Sequence, residues 1–398
     1  TILISYNKNG PSFRAGIYYL LINTLGAMFI LIGIILLYYV YGSINIQYVA
    51  SQIGQFSEST IVKLAYVMML SGISIKAAFV PLYSWLPRAH GVAQASVSAL
   101  LSGLIVKLSL YAFIRIHHDL FLEASYNTGL FFFYIGAITG LVGVTFALVQ
   151  KDLKQILAYH TVSQIGLMMM GLSSLNDVSF SGGFLHIINH AFFKSLLFLA
   201  AGQIIYAYKT KKVYDIQGVF KTMPFTAILL IIGVLSISGM PFFSGYVSKS
   251  LIKYAFKDNT FHMILYTLIN IGTVTSFLKF SRILFGPKLD VMFIFRDSKR
   301  VIAMALLAIA SIAIGIFYLP IITQVFGFEA TQVNLFDIRS WLDYILYVSI
   351  GLVLYRFVIK KDFKFLQKIR NFSMSFEDAN YALILFMSVF ISVMFFMI

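Results

Sequence analysis

Apolar residues in this chain run in long unbroken blocks, with polar residues gathered between them. Residues 17–41, IYYLLINTLGAMFILIGIILLYYVY, and 130–149, LFFFYIGAITGLVGVTFALV, lack the two-residue alternation of a half-buried strand. Each reaches the roughly 20 residues that a helix needs to cross a hydrocarbon core. Eleven such spans are predicted, at about 16–40, 61–84, 96–117, 128–150, 155–174, 182–207, 224–256, 261–284, 301–324, 341–359 and 380–398. Continuous apolar runs exclude a membrane β-barrel, so the fold class is all-α, a polytopic membrane helical bundle. The composition agrees, with 60% hydrophobic and 11% charged residues and a mean hydropathy of +0.87.

The formal net charge of +15 would suit a nucleic-acid partner, but its distribution argues otherwise. Between the predicted spans, eighteen Lys and Arg fall on one side, from Lys8, Arg14 and Arg88 through Lys209, Lys211 and Arg296 to Lys368 and Arg370. The other side has only Lys257 and Arg339. This asymmetry places the first residues in the cytoplasm and the C-terminus outside, and membrane insertion accounts for the basic excess without nucleic acid. The basic loops 208–223 and 285–300 must then share a side, so 224–256 is one broken helix rather than two short spans. With no cysteine, a disulfide framework, a cysteine-ligated cluster and a thiol nucleophile are excluded.

No soluble domain is predicted. Residues 1–340 form a membrane domain, and 341–398 form a C-terminal helix, an amphipathic connection and a last helix. In the connection, KKDFKFLQKIRNFSMSFEDA (360–379), apolar residues recur near helical spacing with basic residues between them. It reads as an interfacial linker or as a contact for a neighbouring subunit.

Two spans combine Gly/Pro interruptions with a lysine. In SGISIKAAFVPLYSWLPRAH (71–90), Lys76 is followed by Pro81 and Pro87; in SISGMPFFSGYVSKSLIK (236–253), Gly239, Pro241 and Gly245 precede Lys249. Broken backbone at membrane depth is tolerated where it is buried in protein or lines a watery cavity. Paired broken helices in two halves of a membrane chain point to a transport site built on inverted repeats.

Ionisable residues cluster inside the second to eighth spans: Lys76, Lys107, His160, His186, His190, Lys194, Lys249 and Lys279, with no Asp or Glu near any span centre. A charged residue at the bilayer centre costs on the order of 3 kcal/mol on insertion scales, so each needs a reason. Lys63, Arg115, Lys253, Lys257, Arg282 and Lys279 lie close enough to span ends to snorkel. His160 can simply hydrogen-bond within the bundle. Lys76, Lys107 and Lys249 lie too deep for snorkelling. In FLHIINHAFFKSLLF, the i, i+4, i+8 spacing puts His186, His190 and Lys194 on one helical face over about 12 Å. A metal site there lacks carboxylate or cysteine ligands and the HEXXH pattern, whereas an imidazole–amine proton relay fits.

These residues resemble a known family: the antiporter-like proton-pumping subunits of respiratory complex I, Mrp-type cation/proton antiporters and membrane-bound hydrogenases. The likeness covers about residues 60–285. It rests on KAAFVPLYSWLPRAHGVAQASVSALLSGLIVKLSLYAFIR (76–115), DLKQILAYHTVSQIG (152–166), HIINHAFFKSLLFLAAG (186–202) and GMPFFSGYVSKS (239–250), in the family's order. The resemblance implies that Lys76 is the lysine of the first broken helix and Lys107 the central-axis lysine. It makes His186, His190 and Lys194 the histidine-bearing linking helix, Lys154 the lysine heading the preceding helix, and Lys249 the exit group. It also implies other membrane subunits as partners, a bacterial or archaeal cell membrane, and no cofactor in this chain.

Two departures stand out. The family's glutamate partner of Lys76 has no counterpart in any span, which is expected if helices precede Thr1. Ser250 replaces the acid that often follows the exit lysine in quinone-reductase members, which tilts the likeness toward Mrp or hydrogenase-type subunits. The expected function is therefore proton translocation along a lysine–histidine relay, with Na⁺ as a candidate exchanged ion and electron chemistry left to partner subunits. Two rivals stay open: a structural membrane subunit without transport of its own, and a stand-alone secondary transporter of a small anion.

Overall fold

The computed structural model describes residues 1–7, 9–53, 59–174, 176–289, 298–328 and 331–396. Two basic residues of the sidedness count, Lys8 and Arg296, lie outside the described residues. The expected multi-pass helical bundle is what forms. Nine described helices are long and apolar enough to cross a membrane. They are α1 (Gly10–Tyr41), α3 (Thr60–Ala77), α5 (Ala95–Leu120), α6 (Leu122–Val149), α8 (Asp177–Tyr208), α11 (Thr260–Leu284), α12 (Ser298–Ile316), α13 (Ile338–Ile359) and α15 (Phe376–Phe396). The other two expected spans are α7 (Leu153–Leu172) and the interrupted pair α9 (Pro224–Ser238) and α10 (Ser244–Tyr254). Three shorter helices complete the numbering: α2 (Ile46–Gln52), α4 (Trp85–Val92) and α14 (Lys364–Asn371).

Helix ends follow local chemistry. Asn9, Asp152, Asn176 and Asn259 cap α1, α7, α8 and α11 by accepting backbone N–H bonds in the first turn. Gly42 ends α1 in the left-handed conformation, which glycine adopts without steric cost.

Both predicted breaks occur, and both follow one plan. The helix α3 stops at Ala78 in the left-handed region, residues 78–84 with Pro81 form the gap, and the chain resumes as α4. The carbonyl of Ile75 accepts from Ala78 N at the break (3.1 Å) and also a 2.8 Å bond from the indole of Trp85. The helix α9 stops at Gly239 (φ +78°), Pro241 lies in the gap, and the freed Ile237 carbonyl accepts a 2.7 Å bond from Lys249 Nζ. Gly245 is required by space, because a Cβ there would lie 1.9 Å from the Ser236 carbonyl oxygen. Pro87 breaks nothing: it sits in the first turn of α4, where a missing N–H has no helical partner to lose.

The centre of the bundle is α7, buried along almost its whole length. It lies against α6 through small residues, with Gly136, Gly140 and Gly143 facing Gly166 and Ser163. A Cβ on Gly166 would stand 2.3 Å from the Gly140 nitrogen and 2.4 Å from the Gly136 oxygen. This is the close backbone approach by which membrane helices associate when lipid removes the hydrophobic incentive.

Loop contacts confirm which basic segments share an end of the bundle. Gly218 N donates to Phe285 O at 2.9 Å, Leu153 N to Lys211 O at 2.8 Å, and Arg88 donates to Met374 O. After α13 packs on α11, the amphipathic connection forms α14 across that same end, and α15 returns against α3. Phe390 of α15 fills the space between Tyr66, Phe131 and Phe132.

Candidate proton-relay site

The site is assembled where α5, α8 and the broken pair α9–α10 meet around α7. In α5, residues Leu101–Ile105 form a π-helical turn, which loosens the regular carbonyl ladder one turn before Lys107. The Ser102 carbonyl turned out by that distortion accepts from Lys107 Nζ. The same amine lies 2.6 Å from His190 Nδ1 on α8. Lys107 is 6% exposed, so its amine meets protein groups in place of solvent. The two residues are therefore in hydrogen-bond contact across a helix interface, 83 positions apart in sequence.

From His190 the polar groups continue toward the second break. His186, one turn away with ring centroids 6.4 Å apart, bonds Ser248 Oγ on α10 at 2.8 Å and Gln164 Oε1 on α7 at 3.1 Å. Asn189 donates to Ser248 Oγ (3.1 Å) and to the Ser244 carbonyl (2.7 Å), tying α8 to α10. One residue past Ser248, Lys249 reaches back to Ile237 O at the break. Its cavity of about 470 Å³ opens away from the basic loops and also touches Lys253, Tyr266, Asp337 and Asp343.

Lys194 lies at the other end of the α8 face, fully buried, 5.7 Å from the Phe198 ring and with no hydrogen-bond partner among the described residues. His160 is buried beside Phe277, and neither ring nitrogen has a hydrogen-bond partner among the described residues. His190 Nε2 and Gln164 Nε2 are likewise unpartnered. Buried polar atoms without a protein partner are normally met by ordered water. No group of three or more His, Cys, Asp or Glu able to hold a metal occurs among the described residues.

The remaining candidates sit apart from this core. Lys76 is half-buried in the last turn of α3, at the first break, and hydrogen-bonds to no described residue. Lys154 spans from the head of α7 to the Ala93 carbonyl (2.7 Å), capping the end of α4.

Two lysines read as snorkelling do something else. Lys279 is 1% exposed and donates to Ala147, Leu148 and Gln150 carbonyls at 3.0, 2.6 and 2.7 Å, closing the C-terminus of α6. A cation is favoured there by the helix dipole and by the unpaired carbonyls. Lys63 is buried against the Phe395 ring at 5.4 Å.

Several polar groups of the site had no individual signal in sequence. Ser102, Gln164, Asn189 and Ser248 are ordinary polar residues until the helices meet. His90 was visible inside the PRAHG stretch; it is buried, stacked on Phe198 at 4.7 Å, and close to Lys194.

Residues 1–279 match the family model described as NADH:quinone oxidoreductase/Mrp antiporter, transmembrane. The chain is 33% identical over 260 residues to hydrogenase-4 component B of Escherichia coli (strain K12), covering 62% of this chain and 38% of that protein. It is 31% identical over 248 residues to the putative antiporter subunit mnhD2 of Staphylococcus saprophyticus, covering 62% and 49% respectively. To a Na⁺/H⁺ antiporter subunit of Alkalihalophilus pseudofirmus it is 27% identical over 338 residues, covering 85% and 67%. The match thus spans less than half the length of the first two relatives. Its fold is shared with a chain of the Mrp complex from Dietzia sp. DQ12-45-1b (TM-score 0.70, 24% identity, 91% of this chain and 71% of that one). It is shared equally with a chain of the archaeal membrane-bound sulfane sulfur reductase (TM-score 0.74, 24% identity, 88% and 70%).

Proposed function

The chain belongs to the NADH:quinone oxidoreductase/Mrp antiporter membrane family, and from that premise we propose that it conducts protons as one membrane subunit of a larger complex. The observation that carries the reading is the 2.6 Å contact of Lys107 with His190, at one end of a buried polar series leading to Lys249. A proton enters from the basic, cytoplasmic end near Lys76, crosses Lys107 and the His186–His190–Lys194 face, and leaves through the cavity beside Lys249. Each amine and imidazole changes the energy of charging its neighbours, so arrival of one charge drives the next transfer. His160 and Lys154 flank this path, and the breaks at Pro81, Gly239 and Pro241 expose backbone carbonyls that carry the proton's water.

The likeness to Mrp and hydrogenase-type relatives supports membrane subunits as partners and leaves Na⁺ as a candidate exchanged ion. Electron chemistry, where the parent complex has it, resides in those partners. The reading is tested by replacing Lys249 with Ala in the assembled complex and following a pH-gradient dye in membrane vesicles. Collapse of proton movement with normal assembly supports it; unimpaired movement refutes it in favour of a scaffold role.

A further inference from the structure

The helix α13 faces outward along most of its length, yet one stripe of it, Ser340, Asp343, Tyr344 and Tyr347, enters the cavity beside Lys249. Tyr344 hydrogen-bonds Ser238 at the end of α9, and Tyr347 hydrogen-bonds Thr267 on α11. These bonds fix the stripe against the broken helix. Asp343, thus placed, forms a 3.0 Å ion pair with Lys253 of α10. Lys253 follows Lys249 by four positions, so the two lysines lie one above the other on one helical face and open into the same cavity.

Resting on the proton-conduction reading, we propose that Asp343 is an electrostatic positioning residue for the exit step: it neutralises Lys253 so that Lys249 can accept its proton. Two ammonium groups one turn apart repel, and the repulsion is largest where protein replaces water. Pairing Lys253 with Asp343 offsets that opposition. A proton leaving Lys249 then meets a carboxylate already in the cavity, on the way to the outside.

The other groups near Lys249 do not supply this charge. On α10 and α11 they are tyrosines, Tyr246, Tyr254 and Tyr266, with Lys257 seated over the Tyr254 ring at 3.6 Å. On the inner side His186 and His160 interact with Lys249 electrostatically but are imidazoles, not anions. The helix α9 carries no titratable residue, and α12 carries Lys299 and Arg300 only in its first turn at the opposite, basic end. Asp337 is a second anion at the cavity, held at the start of α13 by bonds from Arg339 N, Ser340 N and Ser340 Oγ, whereas Asp343 is the carboxylate in contact with Lys253.

The test is the pH profile of proton transport by the whole complex in vesicles. Asp343→Asn leaves Lys253 as an unpaired cation beside Lys249; with the pair 38% and 48% exposed, water screens the effect, and half-maximal transport moves to more acid pH by about half a unit. Lys253→Gln leaves the anion alone and moves the profile the other way. The double replacement, Lys253→Gln with Asp343→Asn, returns it to wild type, as does Asp343→Glu alone. If the asparagine variant fails to assemble, the alkaline shift of Lys253→Gln decides the matter by itself. Profiles unmoved by either single replacement, while Lys249→Ala abolishes transport, overturn the role of Asp343 and leave the conduction reading standing. Transport surviving Lys249→Ala sinks that reading instead.

Discussion

Replacing Gly166 by Ala puts the α6–α7 crossing under direct test. The added methyl would stand 2.3 Å from Gly140 N, 2.4 Å from Gly136 O and 2.7 Å from Gly140 Cα. All three are backbone atoms of a straight helix, so no side chain can swing aside. To restore an ordinary carbon contact of about 3.5 Å the helices must part by about 1 Å, and dispersion contacts along the crossing weaken with them. Overpacking of this kind costs about 1–3 kcal/mol. The matched control is Gly10→Ala: its nearest neighbour is the tip of Arg14 at 3.8 Å, so its effect stays within about 0.5 kcal/mol. Thermal unfolding of the detergent-purified protein, followed by circular dichroism, separates them. The Gly166 variant is expected to unfold several degrees below both wild type and control. Coincident transitions for the two variants would refute the close backbone approach of α6 and α7.

Three other outcomes are expected. Asp362 joins Lys151 (2.6 Å) and Arg370 (2.9 and 3.1 Å) at the basic end, and the hydrogen bonds from Arg370, then from Lys151, hold its carboxyl below the usual carboxylate range. A depressed acid stabilises the fold above its unfolded pKa of about 4 and loses that contribution as pH falls through the folded value. The unfolding temperature of the detergent-purified protein, followed by circular dichroism, should therefore be lower for Asp362→Asn at neutral pH, with the difference from wild type shrinking as the medium is made strongly acid. Ser248→Ala removes the bonds to His186 and Asn189 at once and should slow proton transport about tenfold without loss of assembly, whereas Ser250→Ala should not. Lys279→Met strips the cation from three α6 carbonyls and should lower the unfolding temperature, while Lys257→Met, at an exposed lysine, leaves it unchanged.

The spans and both breaks are legible in the sequence because they are local. Twenty apolar residues need a membrane wherever they lie, and Gly239 or Pro241 interrupts a helix through its own backbone. The one-faced spacing of His186, His190 and Lys194 is local too. What the sequence hides are matters of partnership. Lys279 reads as a lysine near a helix end, and only the fold brings it to carbonyls about 130 positions earlier. Ser102 is unremarked among serines until a π-helical turn, which no residue pattern announces, aims its carbonyl at Lys107. Pro87 reads as a breaker because proline chemistry is legible, but its place in the first turn of α4 depends on where the preceding gap ends. The pairing of Asp343 with Lys253 joins segments 90 positions apart and has no sequence signal.

The central claim is that the Lys107–His190 contact carries protons between the two halves of the bundle. Its most direct measurement is proton uptake into membrane vesicles holding the complete complex with Lys107→Ala, at assembly levels matched to wild type by blue native electrophoresis. The account predicts loss of at least nine-tenths of the uptake, on the order of the 10²-fold effects of removing a proton-transfer group. Wild-type uptake in a fully assembled Lys107→Ala complex would contradict it.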